Sequence, residues 1–317
     1  MKTRSSLIRL AVLVSAFSGS VTAQTNWEAF NDHRAGVMTD ANTTTYEMRL
    51  THPGGPLKNT ATGADLAATF SVEEPGGVSD DFGANGDPNP GSPANVLFAN
   101  KVTIGGAGAD GIIGLKSSLA CTVILRFSNL DPTKRYKFRG TTCRGNAAYV
   151  DRWSVYKIVG VDAATNAHVD GSTNLNIFTV ATFPDSALEP DDVALNSGNN
   201  LEGSLVGWDN ISVGADGTFT IEQRQYLGPA PFGSPSAGPY GYGMNAIYLA
   251  ELEPTTGGVG TITKVSSANN QITIEWTGPG VLQSNENLTV PWADLLTATS
   301  PYTTQMTGSR KFFRLRE

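Results

Sequence analysis

The clearest pattern in the chain lies at residues 119–158, where apolar and polar side chains alternate with period two in three successive runs. Such alternation marks half-buried strands, whose successive side chains point to opposite faces of a sheet. Val123, Leu125 and Phe127 share one face of the first run, and the pattern sets them across a core from Tyr136 and Phe138 of the second. Asp131-Pro132 separates the two as a turn, with proline where its fixed φ is favoured. The third run puts Trp153, Val155 and Lys157 on one face and Tyr156 and Ile158 on the other. The three together predict the middle of an antiparallel sheet, its first two runs forming the arms of a hairpin.

The same reading extends along the chain. Strands are predicted at Thr43–Leu50, Gly63–Glu74, Val96–Ile104, Ile112–Leu115 and Asn174–Phe183, at Leu205–Val213 paired with Gly217–Gln225, and at Met244–Leu252. His52-Pro53-Gly54-Gly55-Pro56 reads as a breaker, and residues 75–95, Pro184–Leu201 and Leu227–Gly243 read as long polar or Pro/Gly-rich loops. Residues 105–111 have a glycine-rich look without the lysine of a phosphate-binding loop or a βαβ setting, so they read as a turn. Pro254-Thr255-Thr256-Gly257-Gly258 reads as a linker at 254–258, and further strands follow near Ile262–Ser266, Gln271–Trp276, Val281–Ser284 and Lys311–Arg316. No amphipathic helical period stands out. Many short strands at this spacing predict an all-β protein: an antiparallel β-sandwich at 24–253 and a small β-module at 259–317, able to fold apart.

Residues 1–23 read as a secretory signal peptide: Lys2, Arg4 and Arg9 form a basic start, Leu10–Phe17 a short apolar run, and Val21-Thr22-Ala23 a small-residue cleavage site. The apolar run is too short to span a bilayer. Removing those three basic residues from the 22 Lys+Arg leaves 19 against 29 Asp+Glu, a net charge of about −10. That balance argues against nucleic acid and anionic membrane surfaces as partners. The expected location is secreted or at the cell surface.

Two cysteines, Cys121 and Cys143, sit on the two arms of the expected hairpin in an oxidising compartment. Side-chain parity puts them on opposite faces, which favours separate thiols, whereas a bulge at Gly140 would allow a disulfide.

Candidate chemistry is sparse. His33, His52 and His168 lack metal-helix spacing, there is no Gly-x-Ser-x-Gly elbow, and no short acidic motif marks one strand. Asp80, Asp81 and Asp87 in the 75–95 loop offer hard oxygens of the kind calcium uses, though their spacing is not that of an EF-hand; a plain solvated loop is the competing reading. No other cofactor is expected. The best constellation is polar and aromatic: Asn31, Asp32 and His33, then Arg144, Asn146, Tyr149 and Arg152, then Tyr240 and Tyr242. Sugars are held by aromatic faces together with planar Arg, Asn and Asp groups. The competing reading makes Tyr149 and Trp153 core residues, pairs Arg152 with Asp151 or Asp32, and leaves Asn31-Asp32-His33 to shape a turn.

Gly280–Thr289, Pro291-Trp292, Ala298–Tyr302 and the ending Lys311-Phe312-Phe313-Arg314-Leu315-Arg316 resemble the C-terminal β-module of secreted proteins from Verrucomicrobia- and Planctomycetes-like bacteria. The resemblance implies a fibronectin type III-like or Ig-like accessory module with no catalytic residues. Trp27–His33, Leu130–Phe138, Tyr149–Trp153 and Asn245–Leu249 look like the large β-domain found beside it, which is similar to a galactose-binding-like jelly roll. That likeness implies carbohydrate binding and, in some members, a structural calcium; fold alone does not license function. The resulting expectation is an exported, non-catalytic binding or adhesion protein for extracellular polysaccharide or another cell-surface component. A secreted glycan hydrolase or lyase on a β-sandwich, and a structural surface protein without a small-molecule site, are the alternatives.

Overall fold

The structure is a computed structural model describing residues 25–33, 40–47, 53–74, 80–83, 86–105, 111–116, 122–172, 175–229, 231, 238, 240–253, 261–268, 270–277, 281–286, 292–295, 298–305 and 311–316. The expected signal peptide, the 254–258 linker and Cys121 lie outside them. The chain divides into compact units, one of them Gln24–Glu253. Its strands begin with β1 (Thr25–Asp32), β2 (Thr44–Thr45), β3 (Gly54–Lys58), β4 (Asp65–Glu73), β5 (Asp80–Gly83) and β6 (Gly111–Leu115). They continue with β7 (Val123–Ser128), β8 (Arg135–Thr141), β9 (Trp153–Val159), β10 (Val161–Asn166) and β11 (Ile177–Thr179). The last are β12 (Asp192–Asn196), β13 (Val206–Val213), β14 (Phe219–Gln225), β15 (Gly241–Tyr242) and β16 (Ala246–Leu252).

Thirteen of these strands make a six-stranded sheet in the order β10-β13-β8-β16-β1-β2 and a seven-stranded sheet in the order β11-β12-β9-β14-β7-β4-β3, and the other three make a small sheet in the order β15-β6-β5. The core between them draws side chains from both: Phe70, Val123, Leu125, Phe127, Tyr156 and Phe219 from one, Tyr136, Phe138, Val206, Trp208 and Leu249 from the other. Phe127 is its hub, stacked on Phe219 at 4.8 Å, tilted on Phe70 at 5.0 Å and edge-on to Phe138 at 5.7 Å. Each such ring contributes about 1.5–3 kcal/mol by leaving water. The expected all-β sandwich is therefore present.

Several local expectations are corrected. The two arms around Asp131-Pro132 do face each other across the core, but through side chains: β7 belongs to the seven-stranded sheet and β8 to the six-stranded one. The connection is an arch between sheets, held where Leu130 N–H donates to Gly217 O at 3.0 Å. Gly217 has φ +62° and no room for a Cβ against Leu130 O, which explains the glycine there. The expected pair at 205–213 and 217–225 is likewise split, β13 and β14 lying in opposite sheets. In place of a strand from Val96, residues Pro93–Phe98 form a short helix, α1, with Ser92 as N-cap and Pro93 in its first turn. Residues 54–58 are an edge strand where a breaker was expected, and β12 runs through the expected 184–201 loop. Every residue of β12 is buried, so it carries no alternation to read. Cys143 is a buried free thiol, and burial pushes its pKa up to about 12.

The C-terminal segment has its own core. Here β17 (Thr261–Ala268), β18 (Gln271–Thr277) and β21 (Tyr302–Gln305) form one three-stranded sheet. A second comprises β19 (Val281–Asn285), β20 (Ala293–Asp294) and β22 (Phe312–Arg316). Ile272, Ile274, Trp276 and Leu282 pack between them with Phe313 and Leu315. Among the described residues no helix is long and apolar enough to cross a membrane.

His168 supports the margin of the six-stranded sheet. Gly207 N–H donates to its Nδ1 at 3.1 Å, and its ring meets Trp208 edge-on at 5.2 Å. That acceptor role requires the neutral ring. Burial, with the Arg139 charge second, lowers the His168 pKa from 6.5 to about 4. The unfolded chain therefore takes up this proton first as pH falls, so stability is lost between pH 6.5 and about 4, by about 3 kcal/mol at most. Urea unfolding at pH 7 and 4.5 should show this loss, and His168→Gln should reduce it; an equal loss in the variant would contradict the assignment.

Candidate functional site

Connections that cross between the sheets at one end of the sandwich include 142–152 from β8 to β9, 197–205 from β12 to β13, and 226–245 from β14 to β16. Backbone groups leaving a ladder need new partners, and here the connections supply one another. Ser197 N–H and Gly198 N–H both donate to Arg152 O, at 2.9 and 3.2 Å, and Gly238 N–H donates to Asp151 O at 2.7 Å. Gln225 Nε2 donates to Gly238 O at 2.6 Å. Tyr242 N–H donates to Ser154 Oγ at 2.6 Å, and the Tyr156 hydroxyl donates to Tyr242 O at 2.8 Å. Asn200, fully buried, donates to Thr141 Oγ1 and Thr142 O at 2.9 and 3.0 Å. These polar anchors fix where the long side chains of 142–152 and 238–242 can go.

Those side chains form an alternating row of aromatic rings and cations. The Arg144 guanidinium lies 5.1 Å from the Tyr242 ring and 4.5 Å from that of Tyr149. The Arg152 guanidinium lies 5.3 Å from the Tyr149 ring and 5.2 Å from that of Tyr240. Lys116, just past β6, continues the row with its ammonium 4.8 Å from the Tyr240 ring. Each contact is worth about 0.5–2 kcal/mol depending on desolvation. Arg144 also donates to the Tyr242 hydroxyl at 2.7 Å. Burial raises the Tyr242 pKa, with both guanidiniums pulling the other way. Asp151 pairs with Arg152 at 2.8 Å.

Five of the sequence candidates thus meet: Arg144, Tyr149, Arg152, Tyr240 and Tyr242. Asn146 belongs to the same loop but is used locally, its Oδ1 capping the 3-10 turn Ala147–Tyr149 through Ala148 N–H at 2.9 Å. Asn31, Asp32 and His33 lie elsewhere, at the end of β1, each no more than 1% exposed. Asn31 Oδ1 accepts from Thr44 Oγ1 and Tyr46 N–H at 3.0 and 3.1 Å, tying β1 to the segment beside it. Asp80 and Asp81 sit on β5, their side chains outside the described residues, while Asp87 Oδ1 accepts from Gly105 N–H at 2.8 Å. Among the described residues no group of three His, Cys, Asp or Glu is placed to hold a metal. Lys116 escaped the sequence reading; its one signal was a lone cation ending an apolar strand.

Comparison of the chain with family models, curated proteins and solved structures gives no match.

The Arg152 side chain is 12% exposed and that of Asp151 26%, so this pair is a brace inside the row. Arg152→Ala strands the Asp151 carboxylate and should cost about 2–4 kcal/mol. Thermal unfolding should show a melting temperature lower by about 5–10 °C. An unchanged melting temperature would place Arg152 outside the structural frame.

Proposed function

We propose that the protein is exported and binds extracellular polysaccharide without transforming it, as a binding or adhesion protein. The observation that carries this reading is the convergence of Arg144, Tyr149, Arg152 and Tyr240 with Lys116 at the end of the sandwich. Planar donor groups held rigidly beside aromatic rings are the chemistry of carbohydrate recognition. Rigidity matters, because a preformed site spends little binding energy on ordering its own side chains. Glycoside hydrolysis generally uses two carboxyl groups flanking the scissile bond, whereas this row is a set of cations and phenols around Asp151. The galactose-binding-like likeness of 24–253 and the secreted character read from residues 1–23 point to the same role.

The test is a glycan array probed with residues 24–317. Binding to one or a few polysaccharide classes, with no release of shortened chains on long incubation, is the expected result. Absence of binding across all classes would reject the reading, and release of fragments would replace the binder with an enzyme.

A further inference from the structure

Resting on that glycan-binding reading, we infer that a second, separate groove on 24–253 holds one or two sugar residues of a neutral polysaccharide. The groove lies where Gly160, at φ +80°, turns the chain from the end of β9 into β10. Its volume of about 350 Å³ is at the small end of the range for ligand sites, about 300–1,000 Å³. Residues 142–152, which carry Arg144 and Arg152, lead into the start of β9, whereas the groove lies at its other end. The seven extended residues of β9 span about 20 Å, so the groove is distinct from the row. β10 is the outermost strand of its sheet, and it is bulged between Val161 and Ala163 and again between Ala163 and Thr165. Bulges re-aim side chains and spoil an edge for the addition of a further strand. This margin therefore suits a ligand held by side chains better than a strand from a partner.

The lining selects the class of ligand. Ile158 and Val161, both packed against the sandwich core, contribute apolar surface. Lys157, Asp162, Asn166 and Asp191 add polar groups of both signs. Among the described residues none of these four side chains makes a hydrogen bond or an ion pair, so their donors and acceptors are open to a ligand. Acid outweighs base around them. Asp192 and Glu222 flank Lys157 in the sheet, and Asp192 is engaged by Arg224. The carboxylates of Asp162 and Asp216 both lie within 3.6 Å of where a Cβ on Gly214 would stand. An anionic sugar would meet these carboxylates and be repelled. Among the described residues no group of three His, Cys, Asp or Glu is placed to hold a metal, so the acids form no metal cage. An apolar ligand would strip water from the polar groups without replacing their hydrogen bonds. A neutral sugar satisfies both kinds of lining: its hydroxyls meet the carboxylates, the amide and the ammonium, and its C–H faces meet the apolar surface.

Residues 24–317 should be titrated calorimetrically with a neutral galactan, a neutral β-glucan, a neutral mannan and polygalacturonate. Binding to at least one neutral polymer is expected. Asp162→Ala removes a charged acceptor and should weaken that binding about tenfold. Ala163→Trp fills the groove and should weaken it at least as much. Both positions are exposed, so the melting temperature should stay unchanged in each variant. Neutral-polymer binding untouched by both variants would overturn the inference and leave glycan binding to the rest of 24–253. Binding to polygalacturonate alone would also overturn it, again with glycan binding left standing. No binding to any of the four polymers would overturn it as well and, together with an empty glycan array, would reject the underlying function itself.

Discussion

Wherever a chain leaves one sheet of a sandwich for the other, its backbone N–H and C=O groups lose their ladder partners and must find others. At one end of this sandwich that constraint falls on several crossovers at once. They meet it mutually, through Asn200, Ser154, Ser197 and the carbonyls of Arg152 and Tyr242. Those anchors are buried, and they tie the described parts of the loops to one another. The side chains they carry are fixed as a consequence.

The row from Tyr242 to Lys116 is what that fixing produces. Cations held against rings lose part of their hydration, and the ring quadrupoles offset part of that cost. Asp151 pairs with Arg152, whose side chain is only 12% exposed. The arrangement therefore has an ion pair at its enclosed centre and partly exposed side chains at its ends.

Much of the architecture was legible because period-two alternation survives where one face of a strand is buried and the other is not, as in Val123–Phe127 and Gln271–Trp276. It failed where that condition failed. β12 is buried on both faces, and its flanking aspartates suggested a loop; Asp192 is in fact paired with Arg224. Alternation also says which way a side chain points and not which strand is the neighbour, so Phe127 and Phe138 were set facing each other correctly while their strands were assigned to the wrong sheet partners. At Ser92-Pro93 the local capping chemistry prevailed over the β-branched and aromatic residues that follow. The candidate site was legible in part. Arg144, Tyr149 and Arg152 are close in sequence, but their meeting with Tyr240 and Lys116 is set by crossovers that no local pattern reveals. Asn31, Asp32 and His33 are a continuous polar run in sequence, and the structure buries all three at the end of β1, which no local pattern shows.

The central claim is that ligand is held by the crossovers at this end of the sandwich. Hydrogen–deuterium exchange on residues 24–317, alone and with a polysaccharide bound on the glycan array, addresses it directly. The account predicts added protection in peptides covering 142–152 and 238–245, with the strand interiors unchanged. Protection confined to other surfaces of 24–253, or to 259–317, would contradict it.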